Sequence, residues 1–114
     1  MNTERVLIIK LNEHIEGEQK LKERVSSAWK INLDTVYKKN ITHVVAMYHQ
    51  QVIADYTIDD QMGYYLTGDD AGRVWFNLKD YDGDQPLKGK TFDYKTANPA
   101  TTKILSELME LEVK

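Results

Sequence analysis

Residues 41–59, ITHVVAMYHQQVIADYTID, decide the fold of this chain because they predict two β-strands joined by a tight connection at residues 49–51. In the first strand, residues 42–49, both alternating faces carry apolar side chains, which is typical of a central strand. In the second strand, residues 52–59, one face is apolar and the other is mostly polar, with Asp55, Thr57 and Asp59. The stretch therefore predicts a hairpin within a larger sheet.

The flanking sequence predicts further strands and at least two helices. Apolar residues recur at helical spacing over residues 18–29, a segment that ends at Trp29. A short third helix after Asn32 or Asp34 stays open. Asn98 followed by Pro99 predicts the start of a C-terminal helix that runs to Leu111. Further strands are predicted at residues 5–12, 63–67, 73–79 and 91–94.

Length and composition bound the class of protein. The chain has 114 residues, which predicts one domain over residues 1–114, and its 41% hydrophobic and 29% charged residues are ordinary for a globular protein. The net charge of −3 argues against polyanion binding driven by bulk charge, although a local basic patch remains open. There is no cysteine, no apolar run long enough to span a bilayer and no signal-peptide pattern, so we expect a cytoplasmic protein that does not enter a membrane.

Two motifs resemble ion or phosphate sites but lack essential parts. The acidic segment that begins at Asp80 has carboxylates at positions 1, 3 and 5 of a calcium loop, yet Gln85 and Thr91 replace the required Gly and Glu. Lys90 lies in a Gly-Lys-Thr triplet, but Asp84 stands where a phosphate-binding loop needs its first Gly. We therefore predict no metal and no cofactor.

The histidines give no clear catalytic pattern. His43 and His49 are about 20 Å apart on an extended strand, so they cannot share one metal ion. His43 with Asp55 could perform acid–base chemistry across the hairpin, but a structural, hydrogen-bonded histidine is the favoured interpretation. No Ser-His-Asp arrangement or nucleophile elbow is present. No catalytic residue is predicted, and an enzyme is the least favoured class.

Aromatic and basic residues are the better candidates for a site. Trp75 falls on the polar face of its predicted strand beside Arg73, where an exposed ring invites a partner. Trp29 ends the first helix, with Lys30 next to it, and Tyr48 lies near the end of a strand. Aromatic rings next to Arg and Lys suit base stacking and phosphate contact. Core packing is the alternative interpretation for these rings.

The order of these elements resembles the PUA-like superfamily, the small open β-barrels that include ASCH, EVE and YTH domains. The matching features are Trp29-Lys30-Ile31, the strand pair over residues 44–58, and the strand with Gly72, Arg73 and Phe76. The turn at residues 49–51 departs from the pattern because it lacks the usual Gly. The resemblance covers roughly residues 25–80. It implies a cleft for RNA or a modified base, with Trp29 as a wall and Arg73, assisted by Lys30, at a phosphate or base edge.

We therefore expect an α/β (α+β) domain with a mainly antiparallel, strongly bent sheet or open β-barrel and two or three helices. The expected function is a small module that binds RNA, DNA or a nucleotide, modified bases included, without catalysis. Its expected ligand-binding residues are Trp29, Lys30, Arg73, Trp75 and Tyr48. The alternative is a protein–protein interaction module, such as an inhibitor or accessory protein, which would use the acidic segments or the C-terminal helix. The sequence does not indicate an oligomeric state.

Overall fold

Seven strands and two helices make up the part of the chain that the structure, a computed structural model, describes: residues 4–26, 41–64, 66, 68–69, 72–83, 86–95 and 100–113. In chain order the elements are β1 (Arg5–Leu11), α1 (Glu18–Val25), β2 (His43–Tyr48), β3 (Gln51–Tyr64), β4 (Val74–Asp80), β5 (Thr91–Phe92), β6 (Ala100–Ile104), α2 (Leu105–Glu110) and β7 (Glu112–Val113). The short third helix that the sequence left open lies outside these residues. Within them, no helix is long and apolar enough to cross a membrane.

The strands form one mixed sheet that curls into a half-barrel. Its order is β6-β1-β2-β3-β5-β7, and β4 also pairs with β3. Among the described pairings only β1 with β2 is parallel, and the other five are antiparallel. The expectation of a mainly antiparallel, strongly bent sheet with helices is therefore confirmed. The parallel pair was not predicted.

The two central strands explain why both faces of the sheet are covered. In β1 and β2 nearly every side chain is buried, whichever face it occupies. One face packs against α1, which contributes Leu21 and Val25 to the core. The opposite face packs against α2, which contributes Leu105 and Leu108. Because a parallel pair needs a long crossover, the chain between β1 and β2 has room for α1.

The strand β3 is longer than predicted and organises one side of the sheet. It runs for 14 residues, so it absorbs Gly63, which the sequence placed in a separate short strand. Its first residue pairs with β5, whereas from Tyr56 onwards it pairs with β4 along the same edge. A register shift between Ile58 and Met62 lets the long strand bend. The part of β3 between the residue paired with β5 and the residues paired with β4 leaves space for a cavity beside it.

The C-terminal segment corrects the sequence-based prediction. A helix was expected to begin at Pro99, but residues 100–104 form β6, which pairs antiparallel with β1. The helix α2 begins only at Leu105 and ends at Glu110. The edge of β1 that faces away from β2 accepts β6, and this pairing satisfies the backbone groups of a strand that is otherwise buried. Tertiary pairing therefore outweighs the local Asn-Pro capping signal.

Candidate binding site at the carboxyl ends of the parallel strands

A cavity of about 590 Å³ opens where the parallel strands β1 and β2 end. We call it the strand-end cavity, and it is lined by residues 10–12, 47–50, 94 and 95. Leu11 pairs with Tyr48 in the last register position of the two strands, so the segments that follow both strands open on the same side. Ligands of sheets with parallel strands commonly bind outside the carboxyl ends of those strands. The volume lies within the range of about 300–1,000 Å³ that small-molecule sites occupy.

The wall of the strand-end cavity combines aromatic rings with positive charge. Tyr48 and Tyr94 supply phenol rings, and His49 supplies an imidazole. Lys10 and Lys95 supply ammonium groups, and no carboxylate lies among the described residues that line the cavity. In a chain with 18 acidic and 15 basic residues, this local excess of positive charge favours an anionic ligand.

Neighbouring side chains hold the two tyrosines in place. The Tyr48 ring lies 4.1 Å from the His49 ring and 6.0 Å, edge to face, from the His14 ring. The Tyr94 hydroxyl donates a 2.9 Å hydrogen bond to Thr101 Oγ1 on β6, and Lys103 Nζ lies 5.6 Å from the Tyr94 ring centroid. The two rings are therefore anchored to different strands, β2 and β6, on either side of β1.

The turn between β2 and β3 is strained where it lines the cavity. His49 and Gln50 have φ values of 49° and 67°, in the left-handed region that favours glycine. Such a two-residue turn suits the twist of a hairpin. Each residue other than glycine, however, destabilises the fold by about 1–2 kcal/mol when it adopts this conformation. The Gln50 Nε2 is also buried without a hydrogen-bond partner among the described residues. Backbone strain of this kind is often retained at binding sites.

The structure separates the binding residues that the sequence predicted. Tyr48 lines the strand-end cavity, beside the start of β3, whereas Trp75 pairs with Gly63 near the opposite end of β3. The path between them along an extended strand is about 40 Å. Arg73 is half-buried immediately before β4, on the side of Trp75. Trp29 and Lys30 lie outside the described residues.

Trp75 has a partner within the sheet. Its indole lies across its cross-strand neighbour, so that a Cβ built on Gly63 would come 2.8 Å from the Trp75 Cζ2. The ring thereby covers the backbone of a strand position that has no side chain of its own. This contact accounts for a half-buried tryptophan on the more polar face of β4.

A second cavity, of about 480 Å³, lies beside β3 between the segments paired with β4 and β5. We call it the β3-edge cavity, and it is lined by residues 18, 19, 21 and 22 of α1, 53–56 of β3, and 80, 81, 86 and 88. Its wall contains Glu18, Asp55 and Asp80 as well as Lys22 and Lys88. Its charge is therefore mixed, unlike that of the strand-end cavity.

The His43–Asp55 pair that the sequence suggested does form, next to the β3-edge cavity. His43 Nε2 lies 2.6 Å from Asp55 Oδ1, and the Asp55 carboxylate also accepts the backbone N–H groups of Leu87, at 3.0 and 3.1 Å, and Lys88, at 2.6 Å. A carboxylate that accepts two amide protons favours a proton on His43 Nε2 as well. Asp55 thereby fastens the loop before β5 to β3.

The position of His43 favours a structural role. The residue is 1% exposed, and the Tyr81 ring stacks on its imidazole with a centroid distance of 3.9 Å. Its Nδ1 is buried without a partner among the described residues, where an unprotonated nitrogen costs less than an orphaned N–H. A general base needs access to its substrate, which the Tyr81 ring blocks. The described residues also contain no group of three or more His, Asp or Glu side chains arranged to hold a metal ion.

Of the residues that line the strand-end cavity, sequence analysis predicted only Tyr48, and it missed the charged and aromatic residues Lys10, Tyr94 and Lys95. Lys10 reaches Tyr48 because β1 lies beside β2 in parallel, whereas Tyr94 and Lys95 follow β5. The sequence signal that could have drawn attention to Lys10 is a lysine within an otherwise apolar strand. A search of protein-family models, of curated proteins and of solved structures found no match to this chain.

Proposed function

We propose that this protein binds a nucleotide or a single-stranded nucleic acid in the strand-end cavity and performs no chemistry on it. The observation that carries the proposal is the wall of that cavity, which joins two tyrosine rings and two lysines and has no carboxylate among its described residues. A nucleic-acid ligand presents a flat base and an anionic phosphate, which are the two features that such a wall recognises.

In this proposal the rings and the lysines have separate tasks. The base packs against Tyr48 or Tyr94, and stacking of this kind contributes about 1–3 kcal/mol per base. The ammonium groups of Lys10 and Lys95 contact phosphate, so the affinity falls as salt is raised. The Gln50 side chain lies in the same wall, and its amide nitrogen, which lacks a partner among the described residues, would gain one from a base edge.

Membership of the PUA-like superfamily is part of the same proposal. The curled half-barrel supports it, as does the position of Gly72, Arg73 and Phe76 at the start of the edge strand β4. The fold alone does not fix a function, so the ligand is argued from the cavity and not from the resemblance. A cytoplasmic location is proposed as well, because a chain without cysteines suits a reducing compartment.

The proposal is tested by fluorescence anisotropy with a labelled ten-nucleotide single-stranded RNA and its DNA counterpart, with AMP as competitor. Lys95→Glu should weaken binding about tenfold at moderate salt, since it reverses a charge in the wall. Lys79→Glu is the matched control, because Lys79 is exposed on β4 and lies outside the cavity. Equal effects of the two variants would contradict the proposed site. Competition by AMP distinguishes a nucleotide pocket from a site that needs a strand.

One observation favours the alternative of a protein-interaction module. The Leu66 side chain is 88% exposed, and the exposed Asp69 follows three residues later. An exposed leucine beside acidic residues suits contact with a basic, partly apolar protein surface. Under this alternative Leu66→Ser and Asp82→Lys abolish capture of a protein partner, while Lys95→Glu has no effect.

A further inference from the structure

The β3-edge cavity carries two carboxylates that form no close ion pair with another described residue. Glu18 at the start of α1 and Asp80 at the end of β4 both line it. Lys22 and Lys88 line the same cavity, yet none of the ion pairs within 4.0 Å among the described residues involves Glu18 or Asp80. Asp55, the third carboxylate, is occupied by His43 and by the backbone of the loop. Two negative charges therefore face the cavity without a close counterion.

Tyr56 supplies a second and independent observation. Its side chain is only 5% exposed, it lines the same cavity, and its hydroxyl forms no hydrogen bond with another described residue. Burial, followed by the charges of Asp80 and Glu18, raises the pKa of Tyr56 to about 12. The hydroxyl is not among the buried side-chain atoms that lack a partner, so it remains accessible from the cavity that Tyr56 lines. Its lone pairs can therefore accept a hydrogen bond from a ligand that donates.

We propose that the β3-edge cavity binds a small organic cation with a primary ammonium group, which is held by Glu18 and Asp80 and donates to the Tyr56 hydroxyl. An ammonium group has three donors, one for each of these acceptors. The half-buried Tyr81 ring, which stacks on His43, adds an aromatic surface for the carbon part of the ligand. The volume of about 480 Å³ is far larger than a bare metal ion needs and suits an organic molecule.

The site is tested with two probes of nearly identical shape, benzylamine and benzyl alcohol, by NMR titration of the ¹⁵N-labelled protein. Benzylamine is charged at neutral pH and should shift the amide signals of Leu21, Ile53 and Tyr56 saturably. Benzyl alcohol should bind at least about tenfold more weakly, because it lacks the charge. Equal binding of the two probes would overturn the proposal, as would the absence of saturable shifts with benzylamine.

Substitutions at Asp80 and Tyr56 test which groups of the β3-edge cavity bind the ammonium group. Asp80→Asn should weaken benzylamine about fivefold, whereas Asp82→Asn, at an exposed position outside the cavity, should leave the affinity within about twofold. Tyr56→Phe should also weaken binding, and the variant should stay folded because the hydroxyl has no hydrogen-bond partner among the described residues. Inorganic phosphate serves as an opposing probe. Phosphate binding at Lys22 and Lys88 in preference to benzylamine would show that the cavity selects anions and would overturn the proposal.

Discussion

Replacement of Asp55 by alanine is the perturbation that most directly tests how the loop before β5 is held. The carboxylate is 6% exposed and accepts hydrogen bonds from His43 Nε2 and from the backbone of Leu87 and Lys88. Leu87 is 1% exposed and packs in the core cluster that α2 covers. Loss of the carboxylate should therefore release the loop and expose a core residue.

The expected cost follows from the groups that lose their partner. Hydrogen bonds to a charged group contribute about 1.5–3 kcal/mol each, and they are not additive when they share one carboxylate. The variant also leaves the His43 Nε2–H buried without an acceptor, and an orphaned buried donor costs about 1–3 kcal/mol. We expect Asp55→Ala to lower the free energy of unfolding by about 3–5 kcal/mol, which is a large part of the stability of a domain of this size.

Urea denaturation at pH 7, followed by circular dichroism, measures this cost. The midpoint should fall by about 2 M or more, given a slope of about 1–2 kcal/mol per molar urea. Asp55→Asn keeps one oxygen for the amide protons and should lose less. Asp82→Ala is the control, because that side chain is exposed and surface substitutions usually change stability by less than about 0.5 kcal/mol.

Hydrogen exchange makes the assay specific to the loop. In Asp55→Ala the amides of Leu87 and Lys88 should exchange much faster than in wild type. The amides of β1 should lose only the protection that corresponds to the drop in the global free energy of unfolding. A loss below about 1 kcal/mol, or unchanged protection of these two amides, would refute the inference that Asp55 holds the loop.

Three further predictions follow from single contacts. Gln50→Gly should relieve the strain of the left-handed backbone conformation and raise the free energy of unfolding by about 0.5–1 kcal/mol, as measured by thermal melts. The same variant should weaken oligonucleotide binding. Lower stability would refute the strain argument. As pH rises from 10 to 12, wild type should lose about 2 kcal/mol of stability at Tyr56, because the unfolded phenol ionises near 10 and the buried one has a pKa of about 12. Tyr56→Phe should remove this loss, and identical alkaline denaturation curves would refute the argument. Gly63→Ala should displace the Trp75 indole, shift its fluorescence and cost about 1–3 kcal/mol in urea denaturation; an unchanged spectrum would contradict the packing.

Local patterns predicted β1, β2, β4 and the first part of β3 well, because burial leaves a clear mark on sequence. Both strands of the hairpin are present, and the two apolar faces predicted for residues 42–49 correspond to the buried strand β2. The alternation over residues 73–79 also corresponds to β4, with Val74, Phe76 and Leu78 buried. These predictions depend only on the side-chain period of a strand, which needs no knowledge of its neighbours.

Pairing and connection could not be predicted in the same way. The parallel register of β1 with β2, and the pairing of β6 with β1, join segments far apart in the sequence. The Asn98-Pro99 signal predicted a helix for residues 100–104, where the structure has β6. The signal reflects only the local chain, whereas the edge of β1 that accepts β6 is distant in the sequence. The parallel pair brings Lys10 beside Tyr48, and the segment after β5 adds Lys95, so neither lysine could be recognised as a neighbour of Tyr48 from the sequence.

The His43–Asp55 pair shows what a hairpin register can supply. The hairpin predicted from the sequence pairs β2 with β3 correctly, so it already places His43 near Asp55. The sequence did not show that the backbone of Leu87 and Lys88 also binds this carboxylate, since the loop arrives from more than 30 residues away. The Tyr81 ring that stacks on the buried His43 favours the structural interpretation of the pair over the catalytic one.

The most direct test of the central claim is a ¹H–¹⁵N NMR titration of the protein with AMP and with a short single-stranded oligouridylate. The proposed function predicts saturable, salt-sensitive shifts confined to residues 10–12, 47–50, 94 and 95, the wall of the strand-end cavity. Shifts centred on Arg73 and Trp75 instead, or no shifts with the folded protein at high ligand concentration, would contradict the proposal that this cavity binds nucleic acid.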